Sequence, residues 1–143
     1  MAERWLVVCT GNTCRSPMMC ALLAAELAAQ GRAVAVESAG TGAVQGEPAS
    51  APAQAAMAAR GIDLSRHRSR PLPADLSPYA RIWCMTGRHA AAVRQRGVPP
   101  ERIAVLMAEH GGVADPWGGD EAAYAACADL LAAEAARLAR TIP

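Results

Sequence analysis

The chain of 143 residues contains no lysine and no phenylalanine, and aromatic residues make up only 3% of it, three Trp and two Tyr. Because aromatic residues are scarce, a hydrophobic core is expected to consist of Leu, Val, Ile, Met and Ala. A domain of this length buries roughly 70% of its unfolded surface, so it needs neither disulfides nor a structural metal. The composition, 52% hydrophobic and 19% charged, predicts a single globular domain over residues 1–143.

Neither a strongly charged surface nor a long apolar run is present. The net charge is +1 and the 14 arginines are spread along the chain, which argues against nucleic acid or an anionic membrane as the main partner. No apolar run approaches the roughly 18 residues of a membrane span, and no secretory signal is expected. Five cysteines, an odd number, are typical of free thiols in a reducing compartment. We expect a cytoplasmic protein and a monomer, although the sequence leaves oligomerisation open.

Short apolar runs alternate with stretches of helical character. The runs of strand length are Trp5–Cys9, Ala33–Val36, Arg81–Met85 and Ile103–Met107. The helical stretches extend from Ser16 to Gly31, from Ser50 to Arg60, from Gly87 to Gly97 and from Asp120 to Arg140. This alternation predicts an α/β fold in which a parallel sheet carries helices on both faces. Two segments rich in Gly, Pro, Ser or Arg, Thr41–Pro48 and Ser65–Ser77, are predicted as surface loops.

The first predicted strand leads into a loop with the sequence Cys-Thr-Gly-Asn-Thr-Cys-Arg-Ser-Pro, residues 9–17. In open α/β sheets, ligands bind at the carboxyl ends of the strands, where this loop begins. Gly11 and Asn12 tolerate the positive φ of a tight loop, and the Ser-Pro pair is typical of a helix start. Such a loop turns successive N–H groups toward one centre and forms a site for a tetrahedral dianion. The Arg15 guanidinium adds a bidentate donor. The positive electrostatic potential of these N–H groups and of Arg15 is expected to favour the nucleophilic thiolate of Cys9.

On these residues the chain resembles the low-molecular-weight protein tyrosine phosphatases, whose phosphate-binding loop is similar to the string VVCTGNTCRSPMM. The resemblance extends through residues 37–41 (Glu-Ser-Ala-Gly-Thr), a histidine loop ending at His67, Met85 at the end of the third strand, and an acid loop that begins at Asp115-Pro116. It implies a Rossmann-like, three-layer fold with a four-stranded parallel sheet. It also implies phosphorylated proteins as substrates, a phosphocysteine intermediate, and no metal or other cofactor.

The resemblance gives each site residue a role. Cys9 attacks phosphorus, while Arg15 and the backbone amides of residues 10–15 hold the oxygens of the transition state. Asp115 first protonates the departing atom and then accepts a proton from the hydrolytic water. Ser16 steadies the Cys9 thiolate as a leaving group. The expected substrate-binding residues are Thr10, Gly11, Asn12, Thr13, Cys14, Ser16 and Trp117, and the expected brace behind Asn12 consists of Ser38 and His67.

The residue that carries the phosphoryl group is open between two alternatives. Tyrosine-specific members usually have Ile or Leu at the position of Thr13. The chain is more similar to the protein arginine phosphatases of the family, which share the sequence CTGNTCRSPM and an aromatic residue followed by two glycines in the acid loop, here Trp117-Gly118-Gly119. A Thr hydroxyl suits a polar guanidinium edge, and a buried polar mismatch discriminates strongly. Phosphoarginine is therefore the favoured substrate, and phosphotyrosine bound against Trp117 is the alternative.

The remaining cysteines have several interpretations. Family members typically have Glu at the position of Cys20, where it can hold the catalytic Arg, so either another acceptor orients Arg15 or the activity is lower than is usual in the family. Cys14 either forms a reversible disulfide with Cys9, as in family members, or packs in the core. Cys84 and Cys127 have apolar neighbours and are expected to be core residues.

Other functions fit the residues less well. A thiol-linked arsenate reductase shares the fold, but it needs a redox partner near Cys84, and the sequence has none there. A module that binds phosphoproteins without turnover would be expected to lack the nucleophile or the acid. His89 and His110 have no metal-ligand spacing, and the basic run Arg66–Arg70 is expected to be a solvated loop.

Overall fold

The structure, a computed structural model, describes residues 3–143, and the first two residues of the predicted domain lie outside this range. Within the described residues, four parallel strands form one sheet in the order β2-β1-β3-β4: β1 Glu3–Cys9, β2 Val34–Gly40, β3 Arg81–Cys84 and β4 Ile103–Val105. The same residues form four α-helices: α1 Arg15–Ala29, α2 Ala51–Ala58, α3 Gly87–Gln95 and α4 Glu121–Thr141. In this part of the chain no helix combines the length and the apolar character that a membrane span requires.

The sheet is covered on both faces because successive side chains of a strand point in opposite directions. Trp5 and Val7 of β1 pack into a core shared with α1, α2 and α4. Leu6 and Val8 pack into a second core beneath α3. The predicted fold class, a three-layer α/β arrangement with a four-stranded parallel sheet, is confirmed. It places the ends of β1, β3 and β4 at one edge, where their following loops meet.

All four strands differ in extent from the prediction: β1 begins earlier, at Glu3, β3 ends one residue earlier, at Cys84, and the ends of β2 and β4 differ as well. β2 continues beyond Val36 to Gly40, because its parallel pairing with β1 runs on through the polar residues Glu37 and Ser38. A half-exposed edge strand does not need an unbroken apolar sequence. β4 ends at Val105 and not at Met107, since Met107 adopts a left-handed conformation with φ 52°.

The predicted surface loop over residues 65–77 is partly buried. Ser69 is fully buried, and its hydroxyl donates to the carbonyl of Val44. The N–H of Gly40 donates to the Arg70 carbonyl at 2.9 Å, so the segment runs beside the end of β2. A Cβ at Gly40 would collide with the carbonyl oxygen of Thr10. The expectation of a solvated loop is therefore wrong for Ser69 and Arg70, which pack behind the loop that follows Cys9.

Candidate active site

The loop after β1 encloses a cavity of about 190 Å³ at the carboxyl edge of the sheet. β1 ends at Cys9, and α1 begins at Arg15 once the loop has turned back. The lining of the cavity combines the predicted nucleophile, the predicted cradle and the predicted acid: Cys9, Thr10, Gly11, Asn12, Thr13, Cys14, Arg15, Asp115 and Trp117. The structure thus brings together residues that are about 100 positions apart in the sequence, while Ser16, Ser38 and His67 lie behind the loop.

The Cys9 sulfur is surrounded by hydrogen-bond donors. Its Sγ lies 2.9 Å from Ser16 Oγ and 3.3 Å from the backbone nitrogen of Asn12, which donates to it. Asn12 Nδ2 donates to Ser16 Oγ at 2.7 Å, so the Ser16 hydroxyl hydrogen is free to point at the sulfur. Two donors, the Ser16 hydroxyl and the Asn12 backbone N–H, are therefore directed at Cys9 Sγ.

Asn12 fixes the shape of the loop. It has a left-handed backbone conformation, φ 58°, and is fully buried. Its Oδ1 accepts from the backbone N–H of Arg70 at 3.0 Å, which orients the amide because that N–H can only donate. Its Nδ2 then donates to Ser38 Oγ at 3.0 Å as well as to Ser16. All hydrogen-bonding groups of the Asn12 side chain are thereby satisfied.

The backbone of Asn12 is held from the other side by His67. The Nε2 atom of His67 lies 2.6 Å from the Asn12 carbonyl oxygen, so this nitrogen carries the proton and donates it. Burial lowers the pKa of His67, although the hydrogen bond to Asn12 opposes the shift. At neutral pH the ring is therefore uncharged and acts as a donor to the loop.

A network of charged groups, not anticipated from the sequence, holds Arg70 beside Asn12. Arg70 Nη2 and Tyr79 OH each lie 2.9 Å from Glu37 Oε1 and donate to it, and Arg4 pairs with the other carboxylate oxygen at 2.9 Å. Burial acts to raise the pKa of Glu37, but hydrogen bonds from Tyr79, Arg4 and Arg70 outweigh it and lower the pKa overall. The carboxylate thus stays charged and anchors the segment whose backbone N–H reaches Asn12.

The guanidinium of Arg15 is oriented by a backbone carbonyl. Arg15 is only 5% exposed, and its Nη1 donates to the Val113 oxygen at 2.9 Å. Its Nη2 lies 3.5 Å from Asp115 Oδ2. Cys20 is directed elsewhere, because its Sγ donates to the Val36 oxygen on β2 at 3.3 Å. The sequence calls for an acceptor other than Cys20 to orient Arg15, and in the structure that acceptor is the Val113 carbonyl.

Asp115 and Trp117 form the rim of the cavity. The side chain of Asp115 is half exposed, and its Oδ1 accepts from the Trp117 backbone N–H at 3.0 Å. Trp117 is 75% exposed, whereas the other four aromatic residues are at most 5% exposed. Trp117 is thus the one aromatic side chain of the described residues that lies outside the core, and it lies beside the carboxylate.

Three further cysteines, Cys14, Cys84 and Cys127, are buried. Cys84 and Cys127 lie in the core as expected, where burial raises their pKa values to about 12 and about 11. Cys14 is 5% exposed and lies 3.4 Å from both Ser50 Oγ and Tyr124 OH. All five cysteines are free thiols.

His89 is a site neighbour that the sequence reasoning missed. Its Nε2 lies 2.7 Å from Thr10 Oγ1 and its Nδ1 lies 3.0 Å from Thr86 Oγ1. Burial, together with the charges of Arg15 and Arg88, lowers the pKa of His89 to about 4. In the sequence His89 has no metal-ligand spacing, and within residues 3–143 no three His, Cys, Asp or Glu side chains cluster as metal ligands. The available signal was its position just after the carboxyl end of β3.

Comparison with known proteins matches almost the whole chain to one family. Residues 4–143 match the model of the family described as low molecular weight phosphotyrosine protein phosphatase. The chain is 35% identical to a protein-arginine-phosphatase of Geobacillus stearothermophilus, in an alignment that covers 99% of this chain and 97% of that relative.

Solved structures with the same fold include proteins named for both substrates. A YwlE arginine phosphatase with a phosphorylated active-site serine has a TM-score of 0.91 at 32% identity, with 98% of this chain and 95% of that chain covered. A low molecular weight protein tyrosine phosphatase from T. tengcongensis has a TM-score of 0.89 at 34% identity, with 96% and 97% covered.

Proposed function

This chain belongs to the low molecular weight phosphotyrosine protein phosphatase family, and from that membership we propose that it acts as a single domain that hydrolyses phosphorylated protein side chains through a phosphocysteine on Cys9. The observation that carries the proposal is the convergence of Cys9, Arg15 and Asp115 on one cavity of about 190 Å³. A nucleophile, a cation and a carboxylate around such a cavity are the groups that phosphoryl transfer to a thiol requires.

In the first step, the Cys9 thiolate attacks phosphorus and the bond to the substrate atom breaks. The Arg15 guanidinium, held by the Val113 carbonyl, is fixed before substrate arrives, so little reorganisation is needed when charge develops on the phosphoryl oxygens. Backbone N–H groups of the loop, whose shape Asn12 maintains, supply the remaining donors. Asp115 is half exposed at the rim, where a protonated carboxyl can deliver its proton to the departing atom.

In the second step, water attacks the phosphocysteine and Cys9 leaves as a thiolate. Asp115, now deprotonated, accepts a proton from that water. Ser16 is suited to stabilise the leaving sulfur, since its Oγ accepts from Asn12 and its hydrogen is directed to Cys9 Sγ 2.9 Å away. One carboxylate thus serves both steps, and inorganic phosphate and the dephosphorylated protein are the products.

Phosphoarginine is the substrate we favour. Thr13 lines the cavity together with Trp117, and the hydrogen-bonding partner of its Oγ1 is the Cys14 sulfur at 3.8 Å, a weak interaction. The hydroxyl is therefore available to accept an N–H of the substrate guanidinium, while the exposed Trp117 ring can cover the planar group. Phosphotyrosine is the alternative, because the same ring could stack on a phenyl group.

The cysteines and the cavity lining favour a phosphatase in a reducing compartment over the other functions considered. All five cysteines are free, which suits the cytoplasm, and we propose that location together with a monomeric state. An arsenate reductase would need a pair of redox cysteines in the segment after β3, whereas Cys84, at the end of β3, has no partner there and is fully buried, and burial raises its pKa to about 12. Both the nucleophile and the acid line the cavity, which favours turnover over phosphoprotein binding alone.

The substrate is tested by comparing two peptides of identical sequence that carry either phosphoarginine or phosphotyrosine. We expect a higher kcat/KM for phosphoarginine, and we expect Thr13→Ile to lower the ratio of phosphoarginine to phosphotyrosine activity about tenfold, since a lost polar contact in a buried site costs about 1–3 kcal/mol. Thr141→Ile, at the end of α4, is the matched control and should leave the ratio unchanged. An unaltered ratio in Thr13→Ile would show that Thr13 does not select the substrate.

A further inference from the structure

A second cavity, of about 500 Å³, adjoins the catalytic cavity. Thr10 and Arg15 form its wall on the catalytic side. Thr86, Arg88 and His89 at the start of α3 form the opposite wall, and residues 110–115 close it along the acid loop. Thr10, Arg15 and Asp115 line both cavities. Whatever occupies the second cavity therefore lies next to the phosphoryl group and next to the general acid.

The volume of this cavity is not explained by the reaction. The catalytic cavity of about 190 Å³ is already lined by Cys9, the loop and the rim residues. The adjoining cavity is more than twice as large. In an extended peptide the side chains two positions apart lie on the same face, about 7 Å from each other. A peptide that presents its phosphorylated residue to Cys9 would therefore bring a neighbouring side chain to the adjoining space.

The charges that line the second cavity favour an anion. Arg88 is exposed and, among residues 3–143, has no ion-pair partner in the structure. Asp115 is the carboxylate of the lining, and it already lies 3.5 Å from the Arg15 guanidinium. His110, on the far wall, lies 3.8 Å from Glu109 and is also exposed. The positive charge of Arg88 is thus the one that remains unbalanced at this opening.

The wall behind Arg88 is rigid. His89 is 3% exposed and is held through both ring nitrogens, by Thr10 and by Thr86. Burial, with the nearby charges of Arg15 and Arg88, lowers its pKa to about 4. His89 is therefore uncharged at neutral pH, and it ties the start of α3, which carries Arg88, to the second residue of the catalytic loop.

We propose that this second cavity receives an acidic side chain, Asp or Glu, of the substrate polypeptide close to the phosphorylated residue, and that Arg88 is the residue that selects it. The inference rests on the proposed function, because it requires a phosphorylated peptide whose phosphoryl group occupies the Cys9 cavity. It adds a sequence preference to that function: the chain discriminates among phosphorylated sites by the charge of a neighbouring residue.

The test uses short phosphopeptides that carry whichever phosphorylated residue, arginine or tyrosine, the wild-type chain hydrolyses faster. Each peptide has either Asp or Asn at one position, chosen from the two residues before and the two residues after the phosphorylated one. For the position that reaches the cavity, the ratio of kcat/KM for the Asp peptide to that for the Asn peptide should be about two to five, the contribution of an exposed ion pair. Arg88→Gln should reduce that ratio to about one. Arg94→Gln, an exposed arginine near the other end of α3, is the matched control and should retain it. Raising the salt concentration should lower the ratio in the wild type.

The outcomes separate this inference from the proposed function. A wild-type chain that hydrolyses the peptides with an Asp-to-Asn ratio of one at every position overturns the acidic subsite and leaves the phosphatase activity established. A ratio that survives in Arg88→Gln also overturns the role of Arg88. If the chain hydrolyses neither phosphoarginine nor phosphotyrosine peptides, the proposed function itself fails.

Discussion

Asn12 is the residue whose replacement should disturb the catalytic loop most without removing a reacting group. It is the only asparagine in the chain, it is fully buried, and its side chain makes three hydrogen bonds, to Ser16, to Ser38 and from the Arg70 N–H. Two substitutions separate the contributions of the amide and of the backbone. Asn12→Gly removes the three hydrogen bonds but tolerates φ 58°, whereas Asn12→Ala removes them and also strains the left-handed backbone.

The expected losses of stability follow from these contacts. A hydrogen bond contributes about 1 kcal/mol net, so the loss of three should lower the free energy of unfolding of Asn12→Gly by about 3 kcal/mol. The left-handed conformation costs an alanine about 1 kcal/mol more, so Asn12→Ala should lose about 4 kcal/mol. Because a domain is stabilised by about 5–15 kcal/mol in total, both variants should still fold. Their loops should nevertheless be misplaced, and a displacement of about 1 Å can lower kcat/KM about 100-fold.

Urea denaturation, followed by tryptophan fluorescence, and hydrolysis of a small aryl phosphate measure the two effects separately. We expect the order of stability to be wild type, Asn12→Gly, then Asn12→Ala, with kcat/KM reduced at least about 100-fold in both variants. Thr141→Ala at the end of α4 is a control, since its hydroxyl donates to the Arg137 carbonyl of the same helix. Wild-type activity in Asn12→Gly, or equal stability of all three proteins, would refute the brace described above.

Two further perturbations test other groups of the site. Asp115→Asn should slow the hydrolysis of phosphate esters with poor leaving groups by about 10²–10⁴ and activated aryl phosphates much less. Equal slowing of both would exclude Asp115 as the general acid, and Asp129→Asn, at an exposed position of α4, is the control. The folded chain holds the pKa of His89 at about 4, below the unfolded value of 6.5, so its contribution to stability is present above pH 6.5 and is lost as the pH falls through about 4, by up to about 3 kcal/mol. His89→Gln should reduce this acid dependence of the free energy of unfolding, whereas an identical pH profile would contradict the burial of an uncharged ring.

The parts of the site that are contiguous in the chain could be predicted from the sequence. Residues 9–17 contain a strand end, a tight turn and a helix start, so their local geometry is determined by residue types such as Gly11 and Pro17. The helix ends could be predicted for the same reason, since Gly31 and Gly61 follow α1 and α2 with positive φ.

The parts that depend on distant contacts could not. Arg70 reaches Asn12 through its backbone N–H, and Val113 holds Arg15 through its carbonyl, and neither group depends on a side chain that a motif would record. The predicted β2 is too short because its polar residues Glu37 and Ser38 pair at the edge of the sheet, where apolar periodicity is weak. His89 lacked a motif of its own, and only the placement of α3 beside the loop gives it a role.

The central claim, a phosphocysteine on Cys9, is tested most directly by trapping it. With an activated aryl phosphate, Asp115→Asn should complete the first step but lack the base for the second, so the phosphorylated chain should accumulate. After a rapid quench, peptide mass spectrometry should locate one phosphoryl group on Cys9. Continued release of inorganic phosphate by Cys9→Ser, or a phosphoryl group found on another residue, would contradict the account.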